Sequence, residues 1–365
     1  MKFFTSVKNF DWALFGSVLI LLSLGLVALY SIGIGSDRMN IFSKQLVFAI
    51  FGFFVFLLFS FLNYVYFRPL SGVFYFIGFF FLLAVLIFGS VFHGTRGWFS
   101  FLGINFQPIE FAKLALIIFF AKFFSGRMHL KKDLKLALQS ALPVLIYVGM
   151  VLLQPDLGSA VILVLFWFLF LIFVSGIKWR HLLLFILIFL LVAAIFWSFI
   201  LADYQKERIK TFLNPSLDPF KSGYNVFQSI IAIGSGKFFG KGLGLGAQSQ
   251  LRFLPSNHTD FIFAVIAEEF GFIGVLILFS AFGLFFYRGF RILSKVGDSF
   301  AEMLVIGILT LIFIETTINL AVTLGLAPVI GITLPFVSYG GSSLVIHLAM
   351  AGILESIAIR QIPKI

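Results

Sequence analysis

The strongest constraint in this sequence is a succession of long apolar stretches, each long enough to cross a bilayer as a helix. A span needs about 20 predominantly apolar residues, and charged or turn-forming residues separate these stretches. The pattern predicts an all-α polytopic membrane protein forming a single domain over residues 1–365. Ten spans are predicted: 11–33, 44–63, 68–90, 107–124, 137–154, 159–175, 182–202, 260–287, 301–324 and 339–359.

Composition leaves no room for a sizeable soluble domain. Hydrophobic residues make up 61% of the chain and charged residues 11%, against about 25% charged in an ordinary soluble domain. The chain has no cysteine, which excludes disulfides, thiolate metal sites and a thiol nucleophile. We expect no nucleic-acid binding, because membrane topology accounts for the net charge of +11.

Lysine and arginine are divided unevenly between alternate connections. Fourteen of them fall on one side, whereas the opposite short loops hold only Arg38, Lys44 and Arg96. Because these residues collect in cytoplasmic loops, both termini are predicted to be cytoplasmic. The long connection 203–258 then lies outside, with an amphipathic stretch at 224–233 and a glycine-rich run at 234–246. A loop of this length is more often functional than idle.

Ionisable residues at membrane depth are the first candidates for chemistry, because charge is costly to bury in lipid. Arg96 lies in an outer loop, and Glu110 and Lys113 follow at the start of the fourth span. A spacing of three places Glu110 and Lys113 on one helix face, where they can pair. Two interpretations stay open here: an ion pair that holds helices together, or a cation for an anionic head group.

A second set, Gln154-Pro155-Asp156-Leu157-Gly158-Ser159, marks the point where an outer loop re-enters the membrane. Asp156 is well placed to cap the next helix by accepting backbone N–H bonds. A direct contact between Asp156 and substrate is the alternative interpretation.

A third set, around His258 and Asp260, ends the long outer loop and opens the eighth span. Asp260 is expected at a helix N-terminus at the outer interface, within reach of water and of a lipid head group. Helix capping by Asp260 is the alternative, although Thr259 or Asn257 could cap equally well. His258 is interpreted as a hydrogen-bonding neighbour.

Two acidic residues follow Asp260 further along the same span. At about 1.5 Å per residue, Glu268 and Glu269 lie more than about 10 Å deeper than Asp260. That separation argues against a glycosidase-like carboxylate pair. We expect the two glutamates to belong to a buried structural network.

A fourth set, Leu334 to Ser343, combines proline with paired glycine at membrane depth. Broken helical backbone is tolerated there only where protein or a water-filled cavity satisfies the freed polar groups. The segment is interpreted either as a helix break needed for packing or as part of a site. Its candidate structural residues are Pro335, Ser338, Gly340 and Gly341.

These four sets resemble the SEDS family (shape, elongation, division and sporulation proteins), over nearly the whole chain. The run FLPSNHTDFIFAVIAEEFG from Phe253 to Gly271 and the run LPFVSYGGSS are specific to that family. The forms AEEFG and QPDLG and the short tails resemble the RodA branch more than the FtsW branch. The sequence departs from the family at Ser256-Asn257, where glutamate is common, and at Ile332-Thr333, where T-G-I-P is typical.

The resemblance implies a ten-helix peptidoglycan glycosyltransferase that polymerises lipid II at the outer face of the bacterial cytoplasmic membrane, for cell elongation and rod shape. It implies that Asp260 is the essential catalytic residue, interpreted as a general base. It also implies a class B penicillin-binding protein as partner, lipid II as substrate and contact with membrane lipids. A divalent cation, Mg²⁺ or Mn²⁺, is left open as a cofactor.

Within that reaction, basic residues are expected to hold the departing pyrophosphate. The candidates are Arg96, Lys113, Lys237 and Lys241, with Glu110 orienting Lys113 and His258 beside the base. The alternative function is a lipid II flippase, which also needs buried charge and broken helices. Clustering of Asp260, Arg96 and the long loop at the outer face favours the enzyme, since a carrier places its key charges near the midplane. A scaffold that only positions a partner leaves these residues without a role.

Overall fold

The computed structural model describes residues 9–36, 39–92, 94–101, 104–127, 134–175, 222–251 and 253–360, with isolated positions between 180 and 212. The predicted span 182–202 lies outside the described residues except for two positions. The helices are α1 Trp12–Ser36, α2 Met39–Phe61, α3 Phe67–Phe88, α4 Pro108–Ser125, α5 Leu134–Leu153, α6 Leu157–Ser175, α7 Ser222–Ser235, α8 Ala247–Gln250, α9 Ile262–Lys295, α10 Ser299–Thr323 and α11 Gly341–Ile359.

The remaining nine predicted spans coincide with helices, which confirms the all-α polytopic membrane fold. Eight of the described helices are long and apolar enough to cross a membrane. The ninth, α4, occupies the predicted fourth span and carries Glu110, Lys113 and Lys122. Within the bundle, α11 packs on α2, α3 on α4, α9 on α1, and α10 on α4 and α6.

Helix α9 continues eight residues past its predicted end at residue 287. The extension begins with Arg288, whose guanidinium binds Asp11 through Nε at 2.9 Å and Nη2 at 2.5 Å. Asp11 in turn donates its backbone N–H to Glu355 Oε1 at 2.6 Å. The start of α1 and the end of α11 therefore lie at the same end of the bundle.

The outer segment between α3 and α4 is a small antiparallel sheet, where the sequence analysis had only a loop. Its strands are β1 Ser90–Phe92, β2 Thr95–Phe101 and β3 Ile104–Phe106, in the order β1-β2-β3. Phe99 pairs with Phe106 and Ser100 with Asn105. Strands β1 and β3 have three residues each, too few to show a period-2 pattern, and β2 has no regular alternation of apolar and polar residues.

The glycine-rich run after α7 is packed against a break in α9. The break is at Gly271, whose φ of 61° and ψ of −155° leave the helical region. Lys241 and Gly242 donate their backbone N–H groups to the freed carbonyls of Glu268 and Glu269, each at 3.0 Å. A Cβ on Gly240, which has φ +81°, would lie 2.1 Å from the Glu269 carbonyl oxygen. Only glycine allows the two backbones to approach this closely.

Candidate active site

The third and fourth sequence sets meet at one end of the bundle. Tyr339 donates its backbone N–H to the His258 carbonyl at 2.8 Å, and Ser338 Oγ donates to the Thr259 carbonyl at 2.6 Å. Both segments are non-helical and lie next to helix starts, Ile262 for α9 and Gly341 for α11. Residues 258–260 are called the Asp260 segment below. The 334–340 segment, with Pro335 and Ser338 buried, holds the Asp260 segment in place and is called its support.

Gln45 of α2 ties this support to the rest of the bundle, and sequence reasoning missed it. Its Nε2 donates to the Ser338 carbonyl at 3.1 Å, and its Oε1 accepts the Gly340 N–H at 3.2 Å. Gln45 is buried, and a buried amide satisfies backbone groups that the broken helix leaves open. The sequence feature that could have pointed to Gln45 is a single amide side chain within a long apolar span.

Asp260 lies just outside α9, whose N-cap position is Phe261. Asp260 is half-exposed. Its backbone carbonyl accepts two hydrogen bonds from α10, from Asn319 Nδ2 at 2.9 Å and from Thr323 Oγ1 at 3.3 Å. Asn319 Nδ2 also donates to the Ile332 carbonyl at 2.7 Å. The backbone of Asp260 is thus held by α10, while the residue as a whole stays half-exposed.

Three polar residues of α10 form a buried stripe beneath Asp260. Glu315, Asn319 and Thr323 are spaced by four residues, which places them on one helix face. Asn319 and Thr323 hold the Asp260 carbonyl. Glu315, one turn further from Asp260, faces α4 and α11 instead. Sequence reasoning missed this stripe, although polar residues recurring every four positions in an apolar span were a usable signal.

Glu110 and Lys113 form the predicted ion pair, at 2.8 Å, and the pair is part of a larger cluster. Lys113 Nζ also lies 2.5 Å from Glu315 Oε1, and Glu315 Oε2 lies 2.6 Å from His347 Nε2 of α11. All four side chains are buried. We call Glu110, Lys113, Glu315 and His347 the buried cluster. Neither Glu315 nor His347 was singled out from the sequence.

Asp156 caps α6, as predicted. Its Oδ1 accepts the Ser159 N–H at 3.0 Å, and its Oδ2 accepts the Ser159 hydroxyl at 2.7 Å. The neighbouring Gln154 is buried and donates from Nε2 to the Leu82 carbonyl at 3.3 Å. The backbone carbonyl of Gln154 accepts the N–H of Arg96 at 3.2 Å, which connects strand β2 to the turn between α5 and α6.

The predicted anion-binding residues have different surroundings. Arg96 is exposed on β2, and its Nη1 donates to the Leu86 carbonyl at 3.4 Å. Lys237 is exposed at the turn after α7, with a φ of 50°. Lys241 is half-buried and lies 3.2 Å from Glu268 Oε1. Arg96 and Lys237 therefore present charge to the surface, whereas Lys241 and Lys113 are held by carboxylates.

Glu268 and Glu269 belong to the buried network that the sequence predicted for them. Glu268 accepts the backbone N–H groups of Gln248 at 3.0 Å and Ser249 at 3.1 Å. Glu269 accepts the hydroxyl of Ser31 at 2.5 Å. These bonds connect α8 and α1 to α9.

No three His, Asp or Glu side chains come together as a metal-binding group within the described part of the chain. A divalent cation therefore finds no ready three-ligand site among these residues, and no step below is routed through one. The cation stays a prediction.

Fold and site together define a polytopic α-helical membrane protein with a half-exposed aspartate at one end and a buried ionic cluster beneath it. Residues 11–362 match the FtsW/RodA/SpoVE family model, described as "Cell cycle protein", and the chain belongs to this family. Its SEDS resemblance is thereby confirmed.

Relatives from two bacteria illustrate the similarity. The chain is 39% identical to "Peptidoglycan glycosyltransferase MrdB" of Escherichia coli (strain K12) over 280 residues, covering 76% of this chain and 74% of the relative. It is 36% identical to "Stage V sporulation protein E" of Bacillus subtilis (strain 168) over 350 residues, covering 93% and 94%.

Two solved structures share the fold over almost the full chain. One, described as "Structural coordination of polymerization and crosslinking by a peptidoglycan synthase complex", superposes with a TM-score of 0.83 at 32% identity, covering 96% of this chain and 98% of the other. The other is the rod shape determining protein RodA of Thermus thermophilus, with a TM-score of 0.70 at 30% identity, covering 96% and 97%.

Proposed function

We propose that the chain is a peptidoglycan glycosyltransferase that joins lipid II units into glycan strands, with Asp260 as the general base. The observation that carries the proposal is the placement of Asp260. Two α10 side chains hold its carbonyl, the 334–340 segment holds the carbonyls of His258 and Thr259 before it, and the residue stays half-exposed. A base must be held in place and also reach a substrate proton. Relatives named as peptidoglycan glycosyltransferases support the substrate class.

The proposed reaction is an inverting glycosyl transfer. The Asp260 carboxylate takes the proton of the 4-hydroxyl of the acceptor GlcNAc. The hydroxyl oxygen attacks C1 of the terminal MurNAc of the growing strand, and the bond from C1 to the pyrophosphate oxygen breaks. Lipid-linked pyrophosphate leaves with the bonding electrons, and cations at the site stabilise its charge.

Exposed cations near the outer surface are the proposed pyrophosphate contacts. Arg96 and Lys237 present their charge to the surface, and His258 lies beside the base in sequence, with its ring 5.7 Å from that of Tyr339. Lys241 would have to leave Glu268 to reach a phosphate. Lys113 would have to leave both Glu110 and Glu315, so we assign it no contact with the head group in this conformation.

The membrane orientation follows from the charge distribution. The end that carries Asp11, Arg288, Arg291 and Lys295 is proposed to face the cytoplasm, because basic residues collect there. The Asp260 segment lies beside the residues that lead into α11. Helix α11 has 19 residues, and Glu355 near its other end binds Asp11. Asp260 then faces the extracytoplasmic side, where membrane-anchored precursors become glycan.

A class B penicillin-binding protein is the proposed partner, and cell elongation the proposed role. Support comes from the solved neighbour described as a peptidoglycan synthase complex that coordinates polymerisation and crosslinking. Similarity to RodA of Thermus thermophilus, a rod shape determining protein, supports the role in elongation.

The decisive experiment is a gel assay for glycan polymer made from lipid II by the purified full chain. It is run with and without the cognate penicillin-binding partner, whose transpeptidase serine is inactivated. We expect Asp260→Asn to abolish polymer while eluting as a monodisperse protein. The matched control is Asp298→Asn at the α10 N-cap, where asparagine caps as well as aspartate and only a partly exposed ion pair with Arg68 is lost. Polymerisation by Asp260→Asn at the wild-type rate would refute the assignment of Asp260 as general base. Transfer of lipid II across proteoliposome membranes without polymer formation would favour the flippase.

A further inference from the structure

The buried cluster lies beneath the Asp260 segment and takes no part in the reaction proposed above. Lys113 comes from α4, Glu315 from α10 and His347 from α11, so three helices meet at one ionic centre. Glu315 and Asn319 are one helical turn apart on α10, about 6 Å along the axis. Anything that fixes the depth and rotation of α10 at Glu315 therefore also fixes Asn319, which holds the Asp260 carbonyl.

His347 connects the same centre to the support of the Asp260 segment. Its Nδ1 lies 2.7 Å from the Ser343 carbonyl and 3.2 Å from Ser343 Oγ, which is itself 3.2 Å from Thr333 Oγ1. The ring of Phe336, in the 334–340 segment, packs against the imidazole at 5.6 Å between centroids. The cluster thus contacts the support both through a hydrogen-bonded chain and through an aromatic ring.

Hydrogen-bond geometry fixes the proton count of the cluster. A backbone carbonyl can only accept, so Nδ1 of His347 carries a proton. Nε2 faces a carboxylate oxygen of Glu315 at 2.6 Å, a distance that requires one proton between the two atoms. With that shared proton, the charges of Glu110, Lys113, Glu315 and His347 add to zero. Without His347, two carboxylates would face a single ammonium in a buried site.

We propose that Glu315 and His347 are positioning residues for Asp260, acting as a proton-sharing pair that keeps the buried cluster neutral and α10 in register. The positioning role rests on the proposed function, whereas the charge balance is independent of it. Removing only His347 leaves one uncompensated buried carboxylate, which is strongly unfavourable. Removing Glu315 as well restores neutrality, because Glu110 and Lys113 then balance each other.

The test compares wild type, His347→Gln, Glu315→Gln and the double variant, all as full-length protein in one detergent. The matched control is Thr316→Val, next to Glu315, because Thr316 is buried and its Oγ1 has no partner among the described residues. Apparent Tm is measured at one scan rate. We expect His347→Gln to lower Tm by about 5 °C or more, and the double variant to recover at least half of that loss. Additive losses in the double variant would overturn the charge balance.

The second readout is polymerisation of lipid II by the same proteins. A positioning role predicts that kcat falls in His347→Gln, with KM for lipid II within twofold of wild type, and that kcat stays low in the double variant although Tm recovers, because the contacts that the pair makes with α4 and α11 are lost. Recovery of kcat together with Tm would overturn the positioning role and leave a pair that serves charge balance alone. If wild type makes no polymer, the proposed function fails, while the Tm comparison still decides the charge balance.

Discussion

Asn319 donates its side-chain amide to the backbone carbonyl of Asp260 at 2.9 Å, across 59 positions of sequence. The same amide donates to the Ile332 carbonyl at 2.7 Å, so one nitrogen connects the Asp260 segment to the stretch that leads into the 334–340 support. Both carbonyls lie outside the helices, between α8 and α9 and between α10 and α11. The Asn319 side chain therefore supplies the Asp260 and Ile332 carbonyls with a hydrogen-bond donor from a neighbouring helix.

We expect Asn319→Leu to lower kcat for polymerisation more than it raises KM. Leucine has the same branching and the same number of side-chain heavy atoms, but it removes the side-chain donor to the Ile332 carbonyl and leaves the Asp260 carbonyl with the longer bond from Thr323. An unsatisfied buried carbonyl costs about 1–3 kcal/mol. Steady-state kinetics on lipid II would measure the split. Thr323→Val serves as the graded control, since its bond to the Asp260 carbonyl is longer at 3.3 Å. A Thr323→Val defect larger than that of Asn319→Leu would contradict this order.

Replacing Lys113 by methionine is expected to destabilise the protein by about 3–5 kcal/mol, because Glu110 and Glu315 would be left buried without a counter-ion. Thermal unfolding in detergent measures the loss. Lys122→Met is the matched control, since Lys122 is exposed in the last turn of the same helix. Equal stability of the two variants would show that the buried cluster contributes nothing to the fold.

Gly240→Ala should destabilise the packing of the glycine-rich run on α9. A Cβ at this position would lie 2.1 Å from the Glu269 carbonyl oxygen, and φ is +81°. Backbone strain of this kind costs about 1–3 kcal/mol. Gly234→Ala, where nothing lies within 4 Å, is expected to leave the melting temperature unchanged or to raise it. Limited proteolysis and Tm report both, and a stable Gly240→Ala would refute the close approach.

Asp156→Ala is expected to cost about 1 kcal/mol through loss of the α6 cap, whereas Asp156→Asn keeps most of it. Apparent Tm values distinguish the two. If Asp156→Asn instead lost polymerisation at unchanged Tm, the carboxylate would have a role in the reaction beyond capping.

Much of the fold was predictable because a membrane imposes it. Length and apolarity alone located nine of the spans now seen as helices, and a spacing of three alone predicted the contact of Glu110 with Lys113. Asp156 as a cap was equally local, since an aspartate directly before the first residue of a helix has its carboxylate oxygens within reach of the N–H groups of the first turn. These features depend only on residues that are close in sequence.

The partners that complete the site were not predictable, because they come from distant parts of the chain. Glu315 reaches Lys113 across 202 positions, and Gln45 reaches Ser338 across 293. In an apolar span, a single polar residue is compatible with many neighbours, and only helix packing selects one. The short sheet at 90–106 is likewise held from a distance, by the bond from the Arg96 N–H to the Gln154 carbonyl.

Sequence alone indicates the environment of each segment: apolar stretches lie in lipid or in the bundle interior, whereas charged residues and glycines mark helix ends and breaks. It also supplied Asp260 through a motif that local reading and family resemblance both single out. Tertiary structure alone decided that α10 stands beneath Asp260 and that one buried lysine is shared by two carboxylates. The physical reason is that hydropathy is additive along the chain, whereas burying charge and freed backbone groups is resolved only by partners brought together in space.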